Sequence, residues 1–261
     1  MTPDQVDRAA QCLLAARQEH RALAALPEDC RPRSIEDGYR IQDALIARLA
    51  EPVAGWKIGA TGAKVQRMLG VTEPFSGRLL AANVRPAPAT IEADRLFMRG
   101  LEVEFAFRLG RDLPPGDGPY EATTVADAVA SLHPAIEIID CRYESLTEAG
   151  AAQLIADDGA HGAFVFADAP ENWRDIDLRT QATTLSINGT EFSRGVGANV
   201  LGDPLRSLAW LATDRARRGD GLRAGEIITT GSTCEAIGWA EAGDGVEADF
   251  GTLGRVHLTF I

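Results

Sequence analysis

The sequence predicts a protein of mixed helix and β-sheet, in which two N-terminal helices precede a remainder rich in strands. The first observation is the start, Thr2-Pro3-Asp4, where a hydroxyl N-cap is followed by proline at the first helical position. The second is Leu101–Gly110, LEVEFAFRLG, whose alternating apolar residues show the period of two that is typical of a β-strand. The third is a series of short apolar segments separated by glycines, predicted to be strands at 226–230, 236–240, 246–250 and 256–260.

Capping residues, prolines and glycines set the bounds of the predicted helices. These helices are 3–26, a second one that starts at 34 and whose apolar face extends to 49, then 63–69, 125–132 and 204–219. Further strands are expected at 133–140, 163–167 and 182–188. The last of these is followed by Asn188-Gly189, a dipeptide that favours a tight hairpin turn.

Composition and charge restrict the class of protein. The chain has 261 residues, of which 45% are hydrophobic and 25% charged, as is typical of globular proteins. The formal net charge of −12 argues against a nucleic-acid or anionic-membrane partner. It permits an anionic substrate, because one metal ion or lysine reverses the local field. The N-terminus is polar, and no apolar run reaches the roughly 20 residues of a membrane-spanning helix. The four cysteines form no CxxC motif. We therefore expect a cytoplasmic protein with reduced thiols.

Three carboxylates suggest a metal site. Glu102 and Glu104 lie on one face of the alternating strand, roughly 7 Å apart at about 3.3 Å per residue. Glu137 lies inside an apolar strand, between two isoleucines. Separately, the pair fits a solvated strand face and Glu137 fits a buried ion pair. Together they favour a hard cation such as Mg²⁺ or Mn²⁺, which acts as a Lewis acid on a carbonyl oxygen, and they disfavour zinc.

Other candidate residues are ambiguous from local sequence. Lys57 follows Trp56 and is flanked by two glycines, so it is either a lysine at the edge of the surface or a buried functional amine. His161 ends a polar turn that begins at Asp157, and it is either a general base or a solvated histidine. Ser232 has no GxSxG setting, and the chain has neither a GxGxxG nor a GxxxxGK[ST] motif, which disfavours nucleotide binding.

Six motifs then resemble, in order and spacing, the 2-keto-4-pentenoate hydratase and 4-oxalocrotonate decarboxylase branch of the fumarylacetoacetate hydrolase superfamily. The resemblance extends from about residue 34 to the C-terminus. The motifs are GWKIGAT from 55, LEVEFAF from 101, PAIEIID from 134, IADD from 155, LGDPL from 201 and AGEIITTGS from 224.

The resemblance implies an α+β fold, with a layered mixed β-sheet roll and N-terminal and peripheral helices. The segment rich in proline and alanine at 86–89 divides one continuous unit into an N-terminal helical region, 1–85, and a part expected to be the catalytic β-roll, 86–261. The resemblance has three further implications. It implies Mg²⁺ or Mn²⁺ held by Glu102, Glu104 and Glu137, with Lys57 as the active-site lysine. It also implies a homo-oligomer, and association with a decarboxylase or hydratase of the same pathway.

The expected function is a metal-dependent hydratase that adds water to a 2-oxo or 2-hydroxydienoic acid in aromatic catabolism. Lys57 is expected to hold the enolate or carry a proton, with its pKa lowered by the metal and by apolar neighbours. Asp158 or His161 would handle the water or carry a proton, and Ser232 would contact the substrate. The chain departs from the family pattern at 74–77, Pro-Phe-Ser-Gly, where an acid is missing, and at 157–161.

Three alternatives remain open. A decarboxylase of a 4-oxalocrotonate-like 2-oxo diacid would use the same site as an electron sink. A C–C bond hydrolase of the same superfamily would need a strong base, which His161 with an acid partner supplies. A non-catalytic partner subunit would predict loss of Lys57 or of a metal ligand, and all four residues are present.

Overall fold

The computed structural model describes residues 1–168 and 170–261, which form two β-sheets with helices packed around them. The helices are α1 Pro3–Gln18, α2 Ile35–Leu49, α3 Ala63–Leu69, α4 Ala122–Ala126, α5 Leu146–Ala149, α6 Ala151–Ala156 and α7 Pro204–Arg218. The strands are β1 Val53–Gly59, β2 Phe75–Leu80, β3 Val84–Pro86, β4 Ala89–Ile91, β5 Gly100–Leu109, β6 Val129–Ile139, β7 His161–Phe166, β8 Ala182–Ile187, β9 Thr190–Val196, β10 Ile227–Ser232, β11 Gly238–Trp239, β12 Gly245–Asp249 and β13 Arg255–Phe260.

The larger sheet is mixed and places β5 near its centre. Its strand order is β2-β1-β10-β5-β6-β7-β3, with β11 paired to β5. The β1–β10 pair is parallel, whereas β10–β5, β5–β6 and β6–β7 are antiparallel. Strands from both sides of residue 85 therefore belong to one sheet. The smaller sheet, β4-β13-β12-β8-β9, packs on it through apolar side chains, as in the edge-to-face contact of Phe105 with Phe250 at 5.3 Å between centroids.

A second hydrophobic cluster joins the N-terminal helices to the end of β6. Apolar residues of α1, α2 and α6 pack there against Ile139, Cys141 and Tyr143. Helix α1 begins with the predicted cap: Thr2 and Gln5 form a capping box. The four cysteines are free thiols, and none of the helices formed by the described residues has the length and apolarity needed to cross a bilayer.

The predicted α+β class is confirmed, and one helix is shorter than expected. Helix α1 ends at Gln18, not near Leu26. The backbone turns away at His20, whose φ is 48°. Leu26 is fully buried, and its N–H donates to Gln153 Oε1 at 2.8 Å. The apolar run that suggested a longer helix is therefore buried by tertiary packing after the helix has ended.

The predicted helix 125–132 is wrong. Only Ala122–Ala126 is helical, and β6 begins at Val129. Strand β6 pairs with β5 as far as the match of Leu109 with Val129. The long partner strand overrides the local helical preference of the alanine-rich segment, as tertiary context commonly does.

Candidate metal and catalytic site

Pairing of β5 with β6 brings three carboxylates together. Glu102 lies directly opposite Glu137 in the antiparallel register, and Glu104 lies two residues further along, opposite Ala135. One carboxylate oxygen from each of the three glutamates lies within 4.8 Å of the others. Glu104 and Glu137 are fully buried. The two-residue period of the strand directs Glu102 and Glu104 to the same face, and the register adds Glu137.

Each of the two fully buried carboxylates uses one oxygen for protein donors. Glu104 Oε2 accepts from the Gly231 backbone N–H at 2.7 Å and from the Thr229 hydroxyl. Glu137 Oε1 contacts Lys57 Nζ at 3.2 Å and His161 Nδ1 at 3.1 Å. The other oxygens, Glu104 Oε1 and Glu137 Oε2, have no hydrogen-bond partner among the described residues. Because a buried acceptor without a donor is costly, these oxygens fit a cation.

The carboxylates perturb one another's protonation. Burial raises the pKa of Glu102 to about 7, with Lys57 opposing the shift and Glu137 adding to it. Burial, followed by Glu137 and Glu102, raises the pKa of Glu104 well above its ordinary range. Glu137 is the exception: although burial favours its neutral form, Lys57 and His161 lower its pKa. One ionised glutamate thus pairs with the lysine, and the other two resist ionisation.

The expectation that the pKa of Lys57 is lowered does not hold for the protein's own charges. Burial lowers the pKa of this ammonium, but Glu137, Glu102 and Glu104 together outweigh burial and raise it. Apolar neighbours are visible along the chain, whereas the proximity of the carboxylates depends on strand pairing. The protein's own groups therefore stabilise the protonated ammonium.

The backbone fixes Lys57 at the middle of β1. Lys57 pairs with Thr229 on β10 and with Gly77 on β2. Its Nζ donates to the Gly159 carbonyl at 3.0 Å. A Cβ at position 159 would lie 3.1 Å from Lys57 Cδ, and φ there is 65°, so this position requires glycine. The lysine is 3% exposed, which agrees with the buried-amine alternative and not with the surface one.

The other predicted residues lie around this lysine. Asp158 is buried, and its Oδ1 accepts from the Arg78 backbone N–H at 2.7 Å. Burial raises the pKa of Asp158, partly offset by His161. His161 begins β7, and its Nε2 is buried without a hydrogen-bond partner among the described residues. Ser232 lies opposite Glu104 in the β10–β5 register, and its hydroxyl is likewise buried without a partner in the described chain.

Comparison with known proteins identifies the family. Residues 84–261 match the family model described as fumarylacetoacetate (FAA) hydrolase C-terminal. The chain belongs to the fumarylacetoacetate hydrolase family. Its relatives in this family include the 2-keto-4-pentenoate hydratase of Paraburkholderia xenovorans (strain LB400), 34% identical over 263 residues that cover 100% of this chain and 96% of the relative. The 4-oxalocrotonate decarboxylase of Pseudomonas putida is 30% identical over 251 residues, which cover 95% and 92%.

A solved structure in the fumarylacetoacetate hydrolase family has nearly the same fold. The 4-oxalocrotonate decarboxylase from Pseudomonas putida G7, complexed with magnesium and adipate, matches with a TM-score of 0.93 at 26% identity. The match covers 100% of this chain and 99% of that chain. The resemblance inferred from the six motifs is therefore confirmed, and so is the layered fold that it implied.

Sequence reasoning missed several residues that build this fumarylacetoacetate hydrolase site. Thr229 and Gly231 donate to Glu104, and Asp157 anchors the turn that precedes His161. The sequence showed the motif Thr-Thr-Gly-Ser at 229–232. It did not show the irregular pairing of β10 with β5 that directs the donors of this motif at Glu104. For Asp157, the only indication in the sequence was that it forms a pair of consecutive acids with Asp158, and the structure shows that both are buried.

Proposed function

We propose that this protein is a divalent-metal-dependent hydratase that adds water to a 2-oxo or 2-hydroxydienoic acid of the 2-keto-4-pentenoate type. One observation carries the proposal: carboxylate oxygens of Glu102, Glu104 and Glu137 converge beside a buried lysine, and Glu104 and Glu137 each keep a buried oxygen that has no hydrogen-bond partner among the described residues. The name of the 34% identical relative, which aligns over the whole chain, supports this reaction class.

The three glutamates would hold the ion. Carboxylates are oxygen ligands, which suit Mg²⁺ or Mn²⁺ and leave positions for substrate oxygens. Such an ion, when bound, polarises a substrate carbonyl and offsets the negative charge of the enolate. The divalent ion in the related decarboxylase structure supports this assignment, and Mg²⁺ is our first choice.

Lys57 would bind a substrate oxygen and stabilise its negative charge. An ammonium has three N–H donors. Here one donates to the Gly159 carbonyl at 3.0 Å and a second faces Glu137 Oε1 at 3.2 Å. The third N–H remains for an oxygen of the 2-oxo acid. Since a buried ammonium interacts strongly with nearby charge, it favours the enolate form of the substrate over the ketone.

His161 would accept the proton from water. An ionised carboxylate only accepts hydrogen bonds, so contact with Glu137 Oε1 places the proton of neutral His161 on Nδ1. Nε2 then carries a lone pair, and it is buried with no partner among the described residues. This tautomer is a base directed away from Glu137 and free to bind the attacking water.

Asp158 and Ser232 would complete the pocket. Burial raises the pKa of Asp158 and so favours the protonated form, which a proton donor needs. This function would replace the acid missing at 74–77, where the Phe75 ring instead packs over Gly59. Ser232 would donate its hydroxyl, which has no partner among the residues that the structure describes, to a substrate oxygen.

Decarboxylation is the second candidate reaction. The related decarboxylases favour it, one by 30% identity and one by its fold. It needs the same polarised 2-oxo group but a second carboxylate on the substrate. The two reactions differ in product, so a single assay distinguishes them.

The test offers 2-hydroxypenta-2,4-dienoate and 4-oxalocrotonate to the enzyme, with Mg²⁺, with Mn²⁺ and with EDTA. A hydratase consumes the first without releasing CO2, and a decarboxylase releases CO2 from the second. The sequence contains two lysines, Lys57 and the exposed Lys64, which form a matched pair. Lys57→Met should abolish turnover and Lys64→Met should not. Turnover that survives EDTA, or full activity in Glu104→Ala, would disprove the metal assignment.

A further inference from the structure

A strained turn connects α6 to β7 beside Lys57. Three consecutive residues, Asp158, Gly159 and Ala160, have left-handed backbone angles, with φ of 55°, 65° and 61°. Only glycine adopts this region at low cost, so two of the three positions are strained. Such a conformation persists only where surrounding contacts impose it. The contacts that impose it here come from a buried ion-pair network.

Arg142 binds both ends of this turn. Its Nε donates to the Asp157 carboxylate at 2.8 Å, and its backbone N–H donates to the same carboxylate at 2.7 Å. Its Nη2 donates to the Asp157 carbonyl before the turn and to the His161 carbonyl after it, both at 3.3 Å. Nη1 binds Asp140 at 3.0 Å, and Arg17 adds a second guanidinium to Asp157 at 3.0 Å. Arg142 is 2% exposed, and Asp157 is fully buried.

The turn provides contacts to the candidate site from its middle and its end. The Gly159 carbonyl accepts from Lys57 Nζ at 3.0 Å. His161 contacts Glu137 Oε1 at 3.1 Å, the same oxygen that Lys57 contacts. A shift of the turn would therefore displace both the ammonium and the imidazole. The backbone positions of the three glutamates, in contrast, are set by the β5–β6 register, and donors from β10 hold the Glu104 carboxylate. The Glu137 carboxylate receives its contacts from Lys57 and His161.

We propose that Arg142 is a positioning residue for the reaction. It holds the 157–161 turn in its strained conformation, so that the Gly159 carbonyl aligns Lys57 Nζ and His161 stays on Glu137. Arg142 does not contact the substrate, and it acts through these two residues. The expected effect of Arg142 on turnover rests on the proposed function. Its effect on the positions of Lys57 and His161 does not depend on which reaction the protein catalyses. Substitution of Arg142 should therefore reduce turnover while metal binding is retained.

The central variant is Arg142→Lys, which keeps the charge but cannot reach the Asp157 carboxylate and two carbonyls at once. We expect kcat to fall roughly 10- to 100-fold, as for a catalytic group displaced by about 1 Å, with KM and the Mn²⁺ dissociation constant within about threefold of wild type.

Arg215→Lys is the matched control. Arg215 is a buried arginine whose Nε donates to Asp220 at 3.0 Å. Its guanidinium lies 4.2 Å from the ring of Trp56, which precedes Lys57 on β1 and so points to the opposite face of that strand. The Arg215→Lys variant should lose thermal stability but keep kcat within about twofold.

A readout without turnover separates this inference from the proposed function. Since the chain has only two lysines, side-chain NMR of the Mg²⁺-loaded enzyme gives one Nζ signal from Lys57 and one from Lys64. Each of these variants adds a third lysine signal, so the Lys57 and Lys64 signals are identified by adding Lys57→Met or Lys64→Met to the same variant. In Arg142→Lys the Lys57 signal should move or broaden while the Lys64 signal stays, and in Arg215→Lys both should stay. An unchanged Lys57 signal with unchanged kcat would overturn the inference. Absence of wild-type activity with a displaced Lys57 signal would reject only the proposed reaction.

Two further measurements cover failure of Arg142→Lys to fold: one uses a second variant, and the other uses the wild type alone. Asp157→Asn keeps the shape of the side chain and removes its charge, and we expect the same Lys57 shift. In the wild type, hydrogen exchange of a peptide covering 157–161 should be as slow as that of β6, because Arg142 holds both ends of the turn. Rapid exchange there would show that the turn is not held, and would overturn the inference directly.

Discussion

Glu102 should destabilise the fold above neutral pH when no divalent cation is bound. Burial raises its pKa in the folded protein to about 7, from an ordinary value of 4.5. At about 1.4 kcal/mol for each pH unit, this difference corresponds to roughly 3 kcal/mol. An acid with a raised folded pKa binds its proton more tightly in the folded state. Stability should therefore fall as the pH rises from about 4.5 to about 7, and the full penalty should remain above that.

The assay compares wild type with Glu102→Gln in EDTA at pH 5 and at pH 8. Near pH 5 both side chains are neutral in the folded state, so the two melting temperatures should be similar. At pH 8 the variant should be more stable by roughly 3 kcal/mol, or about 6–12 °C for a chain of this size. Groups that do not interact with Glu102 cancel in the difference, whereas Glu104 and Lys57 contribute through their interaction with it. Saturating Mn²⁺ should raise the melting temperature of the wild type more than that of the variant.

Glu28→Gln is the control, because Glu28 is an exposed glutamate far along the chain from the site. It should melt with the wild type at both pH values. Equal melting of Glu102→Gln and wild type at pH 8 in EDTA would refute the reasoning, since it would mean that the Glu102 carboxylate is stabilised in the folded protein without a cation.

Three further predictions concern individual contacts. Thr229→Val removes the hydroxyl donor to Glu104 and should weaken Mn²⁺ binding roughly 10- to 100-fold by calorimetry; unchanged affinity would show that this contact does not orient the ligand. Gly231→Ala should lower the melting temperature by several degrees, because φ there is 107° and a methyl group would collide with the Thr61 hydroxyl. His161→Gln should lower kcat on the order of 10²- to 10⁴-fold in stopped-flow assays at saturating metal; wild-type turnover would exclude His161 as the base.

The local sequence pattern was sufficient to predict those features of the site that depend on the two-residue period of a strand. Alternation from 101 to 109 placed Glu102 and Glu104 on one face, and the apolar residues around Glu137 predicted its burial. The pairing of Glu102 with Glu137 is a property of the β5–β6 register, which no local pattern specifies. The misassigned helix at 125–132 has the same origin, since that segment becomes strand only because β5 is long enough to pair with it.

The ionisation of buried groups was the other property that the sequence did not predict, and it too depends on residues that are distant along the chain. The apolar neighbours of Lys57 in sequence suggested a lowered pKa, but the carboxylates that raise it come from other strands. The donors that satisfy one oxygen of Glu104 likewise come from the bulged end of β10. Charge on a buried group depends on three-dimensional neighbours, so composition around a residue predicts its burial better than its ionisation.

The fold separates metal binding from proton transfer. Three glutamates lie on paired strands, where a change of position would require a shift of the sheet register. Asp158, Gly159 and His161 instead belong to a strained turn and its junction with β7, and a few contacts from one arginine hold that turn. Substitutions in the turn that keep the contact of His161 with Glu137 can therefore alter the proposed acid–base groups while the backbone positions of the three glutamates stay unchanged. This separation is compatible with the alignment of relatives named for hydration and for decarboxylation along nearly the whole of this chain. It also predicts that exchanging turn residues between such relatives changes the reaction before it changes metal affinity.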